Sequence, residues 1–217
     1  MSIEQNVKKL LSELGPEVQL VVAAKNRTPA EVSECISAGA KIIGQNYLQD
    51  ARRAYQIIGE EATWHFIGRL QRNKITRIIS MFDMIETLDS LEMASLVNHE
   101  CSEMGRKMPV LVEVNSGREA QKSGVLPEEL ESFIKRLVSY DRIKVMGLMT
   151  MGPLSIEPEY YRPYFSITRK LFEHIDALNL PGVQMKYLSM GMTDSYRVAI
   201  EEGANIVRIG SKIFGPR

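Results

Sequence analysis

Lys25 stands where an apolar strand would end. It follows Val18-Gln-Leu-Val-Val-Ala-Ala24, a run whose valines favour a β-strand. Desolvation at such a position favours the neutral amine, which is the nucleophilic form and can condense with a carbonyl to give a Schiff base. The alternative is a lysine that only extends its ammonium group into solvent at the edge of the fold. The residues around Lys25 leave both interpretations open.

Two loops near the C-terminus have the composition of a phosphate site. They are Ser189-Met-Gly-Met-Thr-Asp194 and Arg208-Ile-Gly-Ser-Lys-Ile-Phe-Gly215, each after a short apolar run. Glycine lets backbone N–H groups approach an anion, and serine and threonine add hydroxyl donors. We therefore expect a phosphate to be held by Ser189, Gly191, Thr193, Gly210 and Ser211. The alternative is helix capping by Thr193 or Asp194, with Gly210 in a tight turn.

Arg208 adds a permanent cation beside these loops. Its guanidinium group could bind a phosphate or donate a hydrogen bond to a ring nitrogen. A surface ion pair with Glu201 or Glu202 would explain the same residue without any ligand. Two weaker candidates are Asn46, which could orient a ligand or cap the next helix, and His65, which in an apolar strand is more often a core residue.

These candidates fall within a regular alternation of short apolar runs and longer amphipathic segments. The predicted strands are Val18–Ala24, Lys41–Gly44, Trp64–Gly68, Met84–Thr87, Pro109–Val114, Ile143–Met149, Met185–Leu188 and Asn205–Ile209. The predicted helices are Pro29–Ala38, Tyr47–Ile58, Asn73–Met81, Ser90–Met104, Pro127–Ser139, Pro158–Leu178 and Ser195–Glu202, after an N-terminal helix with Ile3, Val7, Leu10, Leu11 and Leu14 on one face.

Eight strands alternating with helices imply parallel pairing through right-handed crossovers. An open doubly wound sheet would give the same pattern, but eight strands favour a closed (β/α)8 TIM barrel with an extra N-terminal helix. We expect residues 1–217 to form one domain. In such barrels the active site lies at the C-terminal ends of the strands, where Lys25 and the phosphate loops are predicted.

Charge and composition exclude several classes of partner. The 217 residues carry 27 Lys plus Arg and 27 Asp plus Glu, so no net basic field attracts nucleic acid or an anionic membrane. The sequence has no apolar run long enough to span a bilayer and no secretory signal pattern. Cys35 and Cys101 lack metal-ligand or disulfide spacing. We expect a cytoplasmic protein with a small-molecule ligand, no metal, no nucleic-acid partner and no membrane partner.

Several motifs in the same order resemble one known family. They are Ala24-Lys25, Gly44-Gln-Asn-Tyr47, Trp64-His-Phe-Ile-Gly-Arg-Leu-Gln-Arg-Asn-Lys74, Gln121-Lys-Ser-Gly124, Gly147-Leu-Met-Thr-Met151, Leu188-Ser-Met-Gly-Met-Thr-Asp194 and Val207-Arg-Ile-Gly-Ser-Lys-Ile-Phe-Gly215. Together, from about Val18 to Arg217, they resemble the pyridoxal phosphate homeostasis proteins, also called the proline synthetase co-transcribed homologue proteins. The family usually has Ser at position 24 and Glu at position 45, where this chain has Ala24 and Gln45.

The resemblance implies a fold-type-III barrel like the N-terminal domain of alanine racemase, with pyridoxal 5'-phosphate as cofactor. Lys25 matches the family's Schiff-base lysine, and Arg208 matches the arginine that faces the pyridine nitrogen. The phosphate-binding loops match Ser189, Gly191, Met192, Thr193, Gly210 and Ser211. We also expect Asn46, His65 and Met149 to bind the cofactor.

The sequence and the resemblance are compatible with three functions. The first is a carrier that maintains the cofactor and amino-acid pools without turnover, with cofactor-dependent apo-enzymes as recipients. The second is an amino-acid racemase or decarboxylase that uses the same cofactor, and the third is a barrel aldolase in which Lys25 attacks a sugar-phosphate carbonyl. The sequence stops at Arg217, soon after the last barrel element, whereas racemases and decarboxylases of this fold carry a further β domain. We therefore expect a monomeric carrier that is not an enzyme.

Overall fold

The strands form a closed parallel barrel in the computed structural model, which describes residues 2–215. Neighbours follow chain order, and the last strand pairs with the first. The strands are β1 (Gln19–Ala23), β2 (Ile42–Gln45), β3 (Thr63–Phe66), β4 (Met84–Leu88), β5 (Met108–Glu113), β6 (Ile143–Met149), β7 (Val183–Ser189) and β8 (Ile206–Ile209). Each predicted strand overlaps one of these, and the predicted (β/α)8 barrel is confirmed.

Helices surround the barrel and connect successive strands. They are α1 (Ile3–Glu13), α2 (Pro29–Ser37), α3 (Leu48–Ile58), α4 (Ile75–Met81), α5 (Leu91–Glu103), α6 (Leu130–Leu137), α7 (Arg162–Ala177), α8 (Tyr196–Glu201) and α9 (Ser211–Phe214). Short 3-10 turns precede α4, α6 and α7. Helix α9 was not among the predicted helices, because a single turn of helix is too short to show a periodic apolar face.

The extra N-terminal helix is present and packs on the outside of the barrel. Ser2 and Gln5 form a capping box at the start of α1, and Val7 and Leu10 on its inner face are fully buried. The Asn6 amide donates a hydrogen bond of 2.9 Å to the Ile213 carbonyl, which ties α1 to α9. Among residues 2–215, none of the helices has the length and apolarity that a bilayer span requires.

The core has two layers, because side chains alternate between the two faces of each strand. One layer fills the space between strands and helices and includes Trp64 and Phe66. The other lies inside the barrel, where Met84, Leu111, Met146 and Met149 form an apolar cluster. Buried polar and charged side chains, among them Glu86, Glu113 and Arg208, also occur on the strands. Buried charged groups are stable only when they are hydrogen-bonded or lie near an opposite charge.

Candidate functional site

A cavity of about 390 Å³ opens where β1 and β8 end. The register pairs Val21 of β1 with Arg208 of β8, so the chain that follows each strand emerges on the same side of the barrel. The lining includes seven of the predicted cofactor residues: Lys25, Asn46, Met192, Thr193, Arg208, Gly210 and Ser211. The volume is that of an ordinary small-molecule pocket, for which roughly 300–1,000 Å³ is typical.

Lys25 reaches the cavity because of the turn that follows β1. The Ala24 N–H still donates to the Gly44 carbonyl at 2.9 Å, which continues the β1–β2 ladder by one residue. Asn26 then adopts a left-handed backbone with φ of 57°, and its N–H donates to Asp50 at 3.1 Å. The Lys25 ammonium lies 5.3 Å from the centre of the Tyr47 ring, within the range of a cation–π contact.

Thr193 and Ser211 bring two hydroxyl groups together from the loops after β7 and β8. The Ser211 hydroxyl donates to Thr193 Oγ1 at 2.9 Å, and the Lys212 N–H approaches the same oxygen at 3.3 Å. Thr193 therefore joins the two loops, and the interpretation of Thr193 as a cap of α8 is wrong. The N-cap of α8 is Ser195, whose hydroxyl accepts the Met192 N–H at 3.2 Å.

Arg208 is buried inside the barrel, with only 5% of its surface exposed. Its Nη2 donates to the Thr150 carbonyl at 2.9 Å, and its Nη1 donates to the Ser189 hydroxyl at 2.5 Å. The alternative of a surface ion pair between Arg208 and Glu201 or Glu202 is wrong, because both glutamates pair with Arg162 on the outside of the fold. Burial lowers the pKa of Arg208 below its usual value, and the charges of nearby carboxylates partly oppose this effect.

Glu86 is the functional candidate that the sequence analysis missed. Its Oε2 accepts the Ser189 hydroxyl at 2.6 Å, and its Oε1 lies 2.6 Å from His65 Nδ1. Burial works to raise the pKa of Glu86, but the hydrogen bond and charge of His65, followed by Arg208 and Ser189, hold that pKa below its usual value. The signal in the sequence was a charged residue, Glu86, inside the predicted strand Met84–Thr87.

Four of the predicted cofactor residues lie outside the cavity lining. Ser189 is fully buried between Glu86 and Arg208, so it does not join the other two hydroxyls as expected. His65 is buried against Glu86, and Met149 belongs to the apolar cluster inside the barrel. Gly191 has a φ of 93°, and a Cβ there would lie 2.6 Å from the Ala199 Cβ. Its position therefore serves close packing of α8 on β7.

The lining also contains residues that the sequence analysis did not single out. Arg27, Phe214 and Ala23 contribute to the cavity wall. The Arg27 guanidinium carbon lies 4.7 Å from the centre of the Phe214 ring, so these two side chains form one edge of the opening. Phe214 stands in the Arg208–Gly215 loop, but its contact with Arg27 could not be predicted, because the two residues lie 187 positions apart and meet only when β8 closes against β1.

Glu113 carries a further perturbed carboxyl group at the end of β5. Burial, followed by the charge of Asp89, raises the pKa of Glu113 to about 7, against the opposing effects of Arg208 and Arg69. Its environment contrasts with that of Glu86, whose hydrogen-bond donors favour the ionised form. The barrel interior thus holds one carboxyl group biased towards ionisation and one biased towards protonation.

The cysteines take no part in this arrangement. Cys35 and Cys101 are both buried and are not joined by a disulfide. Burial raises the pKa of the Cys35 thiol to about 12. Within residues 2–215, no cluster of three or more His, Cys, Asp or Glu side chains is arranged to hold a metal ion.

Comparisons with known proteins identify the family of this chain. The family model described as "Alanine racemase, N-terminal domain" matches residues 1–217. A pyridoxal phosphate homeostasis protein of Aquifex aeolicus is 39% identical over 201 residues, which cover 92% of this chain and 87% of that protein. The protein of the same name from Escherichia coli K12 is 33% identical over 210 residues, covering 93% and 86%.

Solved structures show the same barrel. PipY of Synechococcus elongatus, solved with pyridoxal phosphate bound, superposes with a TM-score of 0.90 at 28% identity, covering 99% of this chain and all of PipY (100%). Alanine racemase of Clostridium difficile shares the fold with a TM-score of 0.79 at 16% identity, and the match covers 100% of this chain but 56% of the racemase. The chain therefore belongs to the alanine racemase N-terminal domain family and, within it, to the pyridoxal phosphate homeostasis proteins.

Proposed function

We propose that this protein binds pyridoxal 5'-phosphate as a Schiff base on Lys25 and serves intracellular homeostasis of the cofactor and of amino acids. The observation that carries the proposal is the convergence of Lys25, Arg208 and the Thr193–Ser211 pair on one cavity. The cofactor has an aldehyde, a pyridine nitrogen and a phosphate. An amine, a guanidinium group and paired hydroxyls are the matching partners.

Each group on the cavity wall has a separate task in this proposal. Lys25 supplies the amine, and the nearby Tyr47 ring helps to hold it at the end of β1. The Thr193 and Ser211 hydroxyls and the Lys212 N–H, which meet at Thr193 Oγ1, are the groups that would donate hydrogen bonds to the phosphate. The Arg208 guanidinium faces the ring nitrogen from inside the barrel. When bound, the cofactor would supply an electron-withdrawing ring and a reactive carbonyl carbon.

The relatives support a carrier in preference to an enzyme. Those with 30–39% identity are named as homeostasis proteins. An arginine does not readily release its proton, so the ring nitrogen beside Arg208 stays unprotonated and the cofactor is a weaker electron sink. We propose that residues 1–217 act as one cytoplasmic, monomeric domain that supplies cofactor-dependent apo-enzymes. A racemase or decarboxylase activity is the alternative that the fold leaves open.

Reductive trapping tests the covalent bond. Borohydride treatment of the protein loaded with pyridoxal phosphate should fix the cofactor irreversibly, and peptide mapping should place the added mass on Lys25. Lys25→Ala should fold and stay colourless, and Lys25→Arg should keep the positive charge without forming the adduct. Lys212→Ala is the control, because this lysine lies beside the same loops and donates to Tyr196 at 3.0 Å. A reduced adduct on any other lysine would overturn the assignment.

Turnover assays separate carrier from enzyme. The loaded protein should racemise, decarboxylate or transaminate common amino acids far below ordinary enzyme rates of about 1 per second or more. Transfer to an apo-enzyme is the second readout, followed as recovery of that enzyme's own activity. Robust turnover of any amino acid would refute the carrier function while leaving the Lys25 assignment intact.

A further inference from the structure

A chain of hydrogen bonds crosses the inside of the barrel and ends at the cavity. His65 on β3 meets Glu86 on β4 at 2.6 Å, and Glu86 accepts the Ser189 hydroxyl at 2.6 Å. Ser189, at the end of β7, in turn accepts a hydrogen bond of 2.5 Å from Arg208 on β8. All four side chains are at most 5% exposed. Side chains from four strands thus form one connected polar path.

The direction of each hydrogen bond follows from the chemistry of the four groups. The Arg208 guanidinium group can only donate, so the Ser189 hydroxyl accepts from it and turns its own proton towards Glu86. The Ser189 hydroxyl at 2.6 Å and the Arg208 guanidinium group at 3.8 Å favour the ionised form of Glu86, in line with the lowered pKa of this carboxyl group. An ionised carboxylate only accepts, so His65 donates to it from Nδ1. Each hydrogen bond in the path therefore has a defined donor and a defined acceptor.

The path also balances charge. Glu86 Oε2 lies 3.8 Å from Arg208 Nη1, so the two opposite charges are neighbours although Ser189 stands between them. A buried guanidinium group without a carboxylate nearby would be strongly unfavourable. Glu113 on β5 is the other carboxyl group whose charge acts on Arg208, and its raised pKa makes it the weaker counter-ion near neutral pH.

We propose that Glu86 is a positioning residue. It acts through Ser189 to fix the orientation of Arg208, and its carboxylate lowers the net positive charge beside the cofactor ring. This inference rests on the proposed function, because it needs the cofactor ring to lie against Arg208. Arg208 is the one member of the path that lines the cavity. Glu86 and His65 therefore influence the cofactor without touching it. The path sets the electrostatic potential that a bound Schiff base experiences.

Glu86→Gln is the direct test, because it keeps the shape of the side chain and removes its charge. The readout is the absorption spectrum of the bound cofactor as a function of pH, whose midpoint reports the proton on the Schiff-base nitrogen. Loss of a negative charge disfavours that positively charged form, so the midpoint should fall. For charges on the order of 10 Å apart at an effective dielectric constant of about 20, the fall is about one pH unit.

Conservative variants separate charge from folding. Glu86→Asp keeps the charge and should return the midpoint towards that of the wild type. Glu131→Gln is the control, because it removes a carboxylate from the exposed surface of α6 and should leave the spectrum unchanged. A wild-type spectrum in folded, loaded Glu86→Gln would refute the inference. A wild-type protein that gives no coloured adduct on Lys25 would instead refute the proposed function.

Ser189→Ala provides the test if Glu86→Gln does not fold. It keeps both charges but removes the hydroxyl that connects them, so the guanidinium group keeps its hydrogen bond to the Thr150 carbonyl, loses the one on Nη1 and is held less firmly. Affinity for pyridoxal phosphate should fall severalfold, and affinity for pyridoxal, which lacks the phosphate, should fall by the same factor. An unchanged spectrum and affinity would refute the positioning role. A loss confined to the phosphorylated form would also refute it, because Ser189 would then act on the phosphate.

Discussion

Replacing Thr193 with valine removes one hydroxyl group from the cavity and keeps the size of the side chain. Thr193 Oγ1 accepts hydrogen bonds from the Ser211 hydroxyl at 2.9 Å and from the Lys212 N–H at 3.3 Å. When a phosphate binds, the same hydroxyl can turn its proton towards the anion. The substitution therefore removes a donor to the proposed ligand and a contact between two loops.

The magnitude follows from the charge of the ligand. A hydrogen bond to a charged group contributes about 1.5–3 kcal/mol, so Thr193→Val should weaken binding of pyridoxal phosphate about 10- to 150-fold. Ser211→Ala should act in the same range. Because the two hydroxyls touch, their effects are coupled, and the double variant should lose less than the product of the two single losses.

The assay is a spectroscopic titration with pyridoxal phosphate and, separately, with pyridoxal. Affinity for pyridoxal should stay within about twofold of the wild type, because this ligand has no phosphate for the lost hydroxyl to bind. Ser139→Ala is a matched control, since this exposed serine donates one hydrogen bond of 2.9 Å to the Arg136 carbonyl after α6. Equal losses for the two ligands would refute the assignment of Thr193 and Ser211 to the phosphate.

Three further predictions concern packing, pH and thiol access. Gly191→Ala should lower the free energy of unfolding by about 2–5 kcal/mol in urea titrations, because the new Cβ would lie 2.6 Å from Ala199 at a φ of 93°; an unchanged midpoint would contradict the packing role. The pKa of Glu113 is raised from 4.5 to about 7, so the stability it contributes is complete below about pH 4.5 and is lost as the pH rises through 7. Glu113→Gln should remove about 3 kcal/mol of this pH dependence, and parallel curves for wild type and variant would argue against it. Cys35 and Cys101 are buried and should react with a thiol reagent only after unfolding; rapid labelling of the native protein would show that the helices around them open.

The order of the elements could be read from the sequence because each depends on local pattern. Short apolar runs predicted all eight strands, and a first-turn proline after a capping threonine predicted the start of α2. The position of Lys25 at the end of a strand could also be predicted from neighbouring residues alone. A parallel barrel gathers the ends of its strands at one rim, so this local fact was enough to predict that Lys25 and the loop containing Thr193 meet.

The partners inside the barrel depended on closure and register, which no local pattern contains. Ser189 looked like part of the phosphate loop, yet it is the last residue of β7 and faces inward to Glu86, 103 residues away in the chain. A shift of one residue along β7 would turn this side chain to the opposite face. The sequence by itself determined which strands and loops bear the chemical groups. The tertiary structure decided which of those groups meet, because contacts across a barrel are set by the register that closes it.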